Sequence, residues 1–289
     1  MTESAALFGA RRALAGVLTQ GDSSAEFAVI LLNAGMIHSA GPGRLSVKLA
    51  RELTKNLGIT SVRFDLSGLG DSPVRADSLS IFEIATTEPQ EIMDDLQRRG
   101  FKQFILIGLC SGAYCAFKTA IKDARVVAAV LINTMDLSGE TEPSIKTLEN
   151  RYQKSIFRWR AWGNLFTGKV NYAQLWRMIA ARFQRRSKES SVSSSKVRLE
   201  IEELIQKKTP LFFVCSEYDV SRYYLSGLLG DKLDAFAENG WVTQTIIKDA
   251  DHLFNRVSAQ RVLLQTVCEW VGTRTRSTLR EKGTKHVLD

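Results

Sequence analysis

Apolar residues recur along the chain in two alternating rhythms. Short apolar runs at 27–32, 104–107, 126–132 and 210–215 have the character of strands covered on both faces, and 60–64 and 241–247 read as further strands. Between them, apolar positions return every three to four residues. Leu45, Val47, Leu49, Leu53 and Leu57 mark an amphipathic helix over 44–57. Further helices are predicted over 79–98, where Gly100 ends the pattern, and over 113–120, 221–238 and 259–273. Phe8, Leu14, Val17 and Leu18 predict one or two leading antiparallel strands within 6–19. Strand alternating with helix predicts an α/β fold, a mostly parallel central sheet flanked by helices.

The rhythm breaks once, between Asp136 and Thr209. That interval reads as helices rich in aromatic and basic residues, among them Trp159, Trp162, Phe166 and Trp176. Its serine-rich stretch at 190–195 reads as a mobile loop. The expected organisation is a core of residues 1–136 and 210–275, a helical lid inserted at 137–209, and a flexible basic tail at 276–289. An insertion there in an open parallel sheet lies above the carboxyl ends of the strands, where ligands bind. Its aromatic residues would then line the substrate pocket, as would His38 in the loop after the first central strand.

Charge sharpens this picture. The net charge of the 289-residue chain is +8, and residues 151–208 alone hold fourteen Lys/Arg against four Glu. Such a basic face suits an acidic partner, and a solvated helix surface explains it equally. No nucleic-acid recognition motif accompanies the charge, so nucleic acid is not expected as a partner. No apolar run is long enough to span a membrane. Arg11 and Arg12 interrupt the only apolar stretch near the N-terminus, so no signal peptide is expected. Four cysteines, Cys110, Cys115, Cys215 and Cys268, match neither a zinc site nor a disulfide framework. A reduced, cytoplasmic protein is the expectation.

The chemistry centres on Phe104-Ile-Leu-Ile-Gly-Leu-Cys-Ser-Gly-Ala113. A buried strand passes through a small-residue turn into a helix, which is the setting of a G-x-nucleophile-x-G elbow. With glycines at 108 and 112, the centre is Cys110; Ser111 would need glycines at 109 and 113. The thiolate is the nucleophilic form, and a helix N-terminus favours negative charge. A nucleophile there needs an orienting acid and a base, following it in that chain order. His252 follows the last strand and is the candidate base; His286 lies in the tail. Asp219, just past the strand at 210–215, is the candidate acid, with Glu217 and Asp136 as alternatives. Acyl chemistry also needs oxyanion donors. The Ser111 N–H is one, and the Met36 N–H is the second, with Ala34 as its alternative.

The elbow GLCSG, the RFDLSGLGDS loop at 63–72, the EYD turn and the DADH loop together resemble the α/β-hydrolase superfamily over nearly the whole chain. Cys110 in place of the usual serine resembles dienelactone hydrolases. The stretch LNAGMIHSAGPGRL with GLCSGA is similar to hydrolases associated with exosortase and exopolysaccharide loci. Cys-centred Dieckmann cyclases of tetramate biosynthesis are another relative, and in them the acid follows the strand after the elbow, as Asp136 does here. The resemblance implies a (thio)ester hydrolase or acyltransferase with an S-acyl-Cys110 intermediate and a Cys-His-Asp triad. It implies no metal and no organic cofactor. Its substrate would be a small-molecule acyl (thio)ester, or a chain delivered by an acidic acyl or peptidyl carrier protein docking on the basic insertion. The remaining alternative is a binding protein that keeps the fold without the chemistry.

Overall fold

A computed structural model describes residues 1–22, 26–77, 79–139 and 190–285. Its strands are β1 (Thr2–Phe8), β2 (Leu14–Gln20), β3 (Phe27–Leu32), β4 (Thr60–Phe64), β5 (Gln103–Leu109), β6 (Val126–Ile132), β7 (Leu211–Ser216) and β8 (Val242–Ile247). They form one eight-stranded sheet in the order β1-β2-β4-β3-β5-β6-β7-β8. Only the pairings of β2 with β1 and β4 are antiparallel. From β4 to β8 every pairing is parallel. The parallel strands at the middle are buried along their whole length, as β3, β4 and β7 show, because helices cover both faces.

The helices are α1 (Leu45–Leu57), α2 (Ile81–Arg98), α3 (Ser111–Lys122), α4 (Ser190–Gln206), α5 (Tyr224–Leu229), α6 (Lys232–Glu238) and α7 (Val257–Lys285). On one face Leu45, Leu49 and Leu53 of α1 and Leu263, Val267 and Val271 of α7 pack on Val29, Leu31, Ile105 and Ile107. Each such side chain contributes roughly 1.5–3 kcal/mol when taken from water. On the other face α2 packs on α3, and α3 on β5 and β6. A capping box starts α2: Ser80 Oγ accepts from the Glu83 N–H, and Glu83 accepts from the Ser80 N–H.

The chain divides into two compact units, Met1–Leu137 with Ile201–Asp289, and Ser138–Glu200. The first carries the whole sheet. Of the second, residues 140–189 lie outside the described residues, and with them Trp159, Trp162, Phe166 and Trp176. Among the described residues no helix is long and apolar enough to cross a membrane.

Four local expectations differ from the structure. β1 begins at Thr2, four residues before the stretch expected to hold the leading strands. The serine-rich stretch at 190–195 is the start of α4, because Val197, Ile201 and Leu204 recur at helical spacing and carry the helix back through it. The single helix expected over 221–238 is a 3-10 turn, α5 and α6, broken at Gly230, whose φ of 51° no continuing helix allows. The last helix runs to Lys285 instead of ending at 273. Arg274 binds the Gly240 carbonyl, and the Thr275 hydroxyl returns to the carbonyl of Val271.

Candidate active site

The site stands at the carboxyl ends of β5, β6, β7 and β8. Cys110 links β5 to α3, and its backbone has φ 58° and ψ −116°, a region costly for any side chain. Its surroundings hold it there. The Cys110 N–H donates to the Ile132 carbonyl at 2.9 Å, and its own carbonyl accepts from Ala113 at 3.1 Å. Both glycines are demanded by close approach. A Cβ on Gly108 would lie 2.0 Å from the Gly112 carbonyl oxygen, and one on Gly112 would lie 2.6 Å from that of Asn33. Cys110 is partly exposed, whereas Cys115, Cys215 and Cys268 are buried thiols with no disulfide. Burial pushes Cys115 and Cys268 up to about 12, and Cys215 upward as well.

His252 lies between β8 and α7. Its Nδ1 is 2.7 Å from Asp219 Oδ2, which leaves Nε2 for the Cys110 thiol, the other hydrogen-bond partner of the ring. Burial disfavours the imidazolium, but the Asp219 and Cys110 interactions outweigh it and raise His252 to about 10. Asp219 has a fully buried side chain. Burial pushes its carboxyl up; the His252 partner and the Ser221 N–H, which donates at 2.8 Å, more than reverse this and hold it below the usual range. Asp219 also caps the 3-10 turn Val220–Tyr223. Glu217 points elsewhere, accepting from the Asp249 N–H at 2.9 Å. Asp136 lies in the loop after β6, where its neighbour Leu137 is tied to Tyr224 Oη. Neither is the carboxylate on His252 Nδ1.

The loop after β3 comes to the same place. Gly35 N–H donates to Ser111 Oγ at 2.7 Å, and Ile37 N–H closes a turn onto Ala34 at 3.1 Å. The N–H groups of Ser111 and Met36 make no hydrogen bond among the described residues. His38 serves this loop. Its Nδ1 accepts from the Ala40 N–H at 3.0 Å, so Nε2 carries the proton toward Asp65, 3.2 Å away. His38, Asp65 and Asp71 have donor atoms within 4.8 Å of one another, spacing that a metal could use. Asp65 is already taken up by the Ser39 N–H, Asn33 and His38, so bracing the loop accounts for the group.

Sequence reasoning missed Asn133. It is fully buried with φ 47°, just past β6. Its Oδ1 accepts from the Ser216 N–H and from Ser221 Oγ, and its Nδ2 donates to Ser216 Oγ and to the His252 carbonyl. One side chain thus ties the acid turn and the base loop to the end of β6. An Asn directly after an apolar strand was the available signal, since Asn tolerates the left-handed region.

The model of the alpha/beta hydrolase family matches residues 29–263. Solved structures agree in fold. Proline iminopeptidase from Mycobacterium smegmatis is 15% identical, with 96% of this chain and 100% of that one covered and a TM-score of 0.54. An esterase from Pyrococcus furiosus is 16% identical, covering 93% and 89% with a TM-score of 0.55. A lidless serine hydrolase from Xanthomonas campestris is 14% identical, covering 93% and 95% with a TM-score of 0.53. No curated protein matches the chain. With the family matched from β3 into the final helix, on an eight-stranded and mostly parallel sheet, the chain belongs to the alpha/beta hydrolase family.

Proposed function

We propose that the protein is an acyl-transfer enzyme, a (thio)ester hydrolase or acyltransferase, working through an S-acyl-Cys110 intermediate. The observation that carries this reading is the imidazole of His252, held by Asp219 on Nδ1 and meeting the Cys110 thiol with its other nitrogen. The proposed nucleophile is a cysteine, whereas the Xanthomonas relative is described as a serine hydrolase. A thiol transfers its proton to a nearby imidazole more readily than a hydroxyl does, and the thiolate so formed is the nucleophile.

The Cys110 sulfur adds to the acyl carbon, and the carbonyl π-electrons move onto oxygen. The free N–H groups of Ser111 and Met36 receive that charge. Collapse breaks the bond to the leaving alkoxide or thiolate, which takes the proton from His252. The neutral imidazole then removes a proton from water, or from an amine, alcohol or carbon acid, as that group attacks the thioester. The second collapse returns thiolate and imidazolium. Asp219 keeps one tautomer and one ring orientation through both halves. No step calls on a metal or an organic cofactor.

The acyl donor is a small-molecule (thio)ester; the esterase and peptidase activities of its structural neighbours support acyl chemistry of this type. A second reading is transfer or Dieckmann-type cyclisation of a chain delivered by an acidic carrier protein, favoured by the fourteen basic residues within 151–208. The test is intact-protein mass spectrometry after incubation with acyl thioesters and aryl esters. An adduct that maps to Cys110 and is lost in Cys110→Ala is expected. Its decay in water identifies a hydrolase, and decay only with an added amine or carbon acid identifies a transferase. Iodoacetamide should label Cys110 far faster than the three buried thiols. Equal labelling of all four, with no acyl adduct, refutes the reading and leaves a binding protein.

A further inference from the structure

We infer that the Ser111 hydroxyl is a positioning group for the oxyanion donors, beyond the N–H that the same residue offers. The inference rests on the proposed acyl-Cys110 chemistry and concerns a different atom. Ser111 Oγ accepts from the Gly35 N–H at 2.7 Å, a bond that joins the first turn of α3 to the loop after β3.

That loop is fixed unevenly. Its far end is held by side chains: Asn33 Nδ2 donates to the Ile37 carbonyl at 2.9 Å and to Asp65 Oδ1 at 3.2 Å. Asn33 Oδ1 accepts from Leu66 N–H at 3.0 Å, and Asp65 Oδ1 accepts from Ser39 N–H at 2.6 Å. At the end nearest Cys110, the Ser111 hydroxyl is the side chain that holds a loop amide. Gly35 has φ +59°, and nothing lies within 4 Å of where its Cβ would be. The glycine is therefore there for its backbone conformation, and space plays no part.

The chemical consequence follows from successive amides. The Gly35 N–H is bound by the Ser111 hydroxyl, whereas the Met36 N–H makes no hydrogen bond among the described residues. The hydroxyl takes the first out of use and so leaves the second, Met36, as the loop's donor to the developing oxyanion. Without the hydroxyl, the Gly35 N–H has no acceptor and the turn loses its anchor beside the nucleophile. The donor then no longer sits where negative charge develops. Only a reaction that builds an oxyanion feels this.

The two chemistries of a thiolate separate the cases. Acylation of Cys110 by p-nitrophenyl acetate passes through a tetrahedral oxyanion, whereas alkylation by iodoacetamide is a direct displacement at carbon with none. Removing a hole donor outright costs about 10²- to 10³-fold, so displacing one should slow acylation in Ser111→Ala by about 10- to 100-fold. Alkylation of the same variant should stay within about 2-fold of the wild type, because thiolate and imidazole are untouched. Ser111→Thr keeps the hydroxyl and should regain most of the acylation rate. If Ser111→Ala acylates as fast as the wild type, or if both reactions slow together, the hydroxyl does not position the hole. A wild-type protein that is alkylated at Cys110 but never acylated there is a distinct result, and it overturns the nucleophile reading itself.

Discussion

Asp219 and the Cys110 thiol both raise the proton affinity of His252, to about 10 from an ordinary 6.5. A raised cation stabilises the fold fully below its unfolded value, and this is lost as pH climbs through the folded value. Denaturant unfolding at pH 7 and again above pH 10 should therefore show wild type losing more stability than Asp219→Asn, by on the order of 2 kcal/mol. Asp219 itself acts in the opposite direction. Its lowered carboxyl stabilises above an ordinary 3.8 and ceases to as acid protonates it below that. In turnover, Asp219→Asn should lower kcat by about 10²- to 10⁴-fold with KM little changed, because it disturbs the tautomer and leaves binding alone. Asp136→Asn should do neither, and the reverse pattern would reassign the acid. That Cys110, Asp219 and His252 come together was legible because each follows a strand of the parallel sheet. Asn133 was not, because its partners lie 83, 88 and 119 positions away. Nothing in a linear pattern announces hydrogen bonds at that range.

The elbow is an element specified by what it excludes. Adding one carbon at Gly112 drives it into the backbone of Asn33, which cannot retreat without moving β3. Gly112→Ala should cost about 3 kcal/mol in chemical denaturation. Gly227 inside α5 has nothing within 4 Å of a built Cβ, and its φ is ordinary. There the same change should stabilise by about 0.5–1 kcal/mol, since glycine is a poor helix residue. A similar effect at both positions would show that crowding at the elbow is not what governs Gly112. The buried parallel strands were legible because burial on two faces leaves an apolar run, and α1 because its apolar positions recur at helical spacing. The ends of α4 and α7 were not. Serine, arginine and threonine read as loop by composition, while packing of the preceding turns and side-chain bonds such as Arg274 to Gly240 carry the helix onward.

For the whole molecule, the alternation of strand and helix foretold the parallel sheet, and its break foretold that something is inserted after β6. What fills 140–189 does to a substrate was not legible, since charge and aromatic content do not say which way a side chain faces. The net charge of +8 is nonetheless testable. If an acidic carrier delivers the acyl chain, transfer from it should weaken between low and physiological salt, while transfer from a small thioester stays unchanged. Identical salt responses would remove the carrier. The order of strands in the chain has one more consequence, for the time during which the protein is made. The thiol and both candidate oxyanion donors belong to residues 36–111, inside the stretch that builds β3 to β6, whereas acid and base arrive only with Asp219 and His252. At about 10 residues per second, the ribosome needs about ten seconds to pass from the end of β6 to the base loop. Under the proposed mechanism the nascent chain carries its thiol through that interval without its proton acceptor, and a truncated product that ends before His252 lacks the base that the mechanism needs.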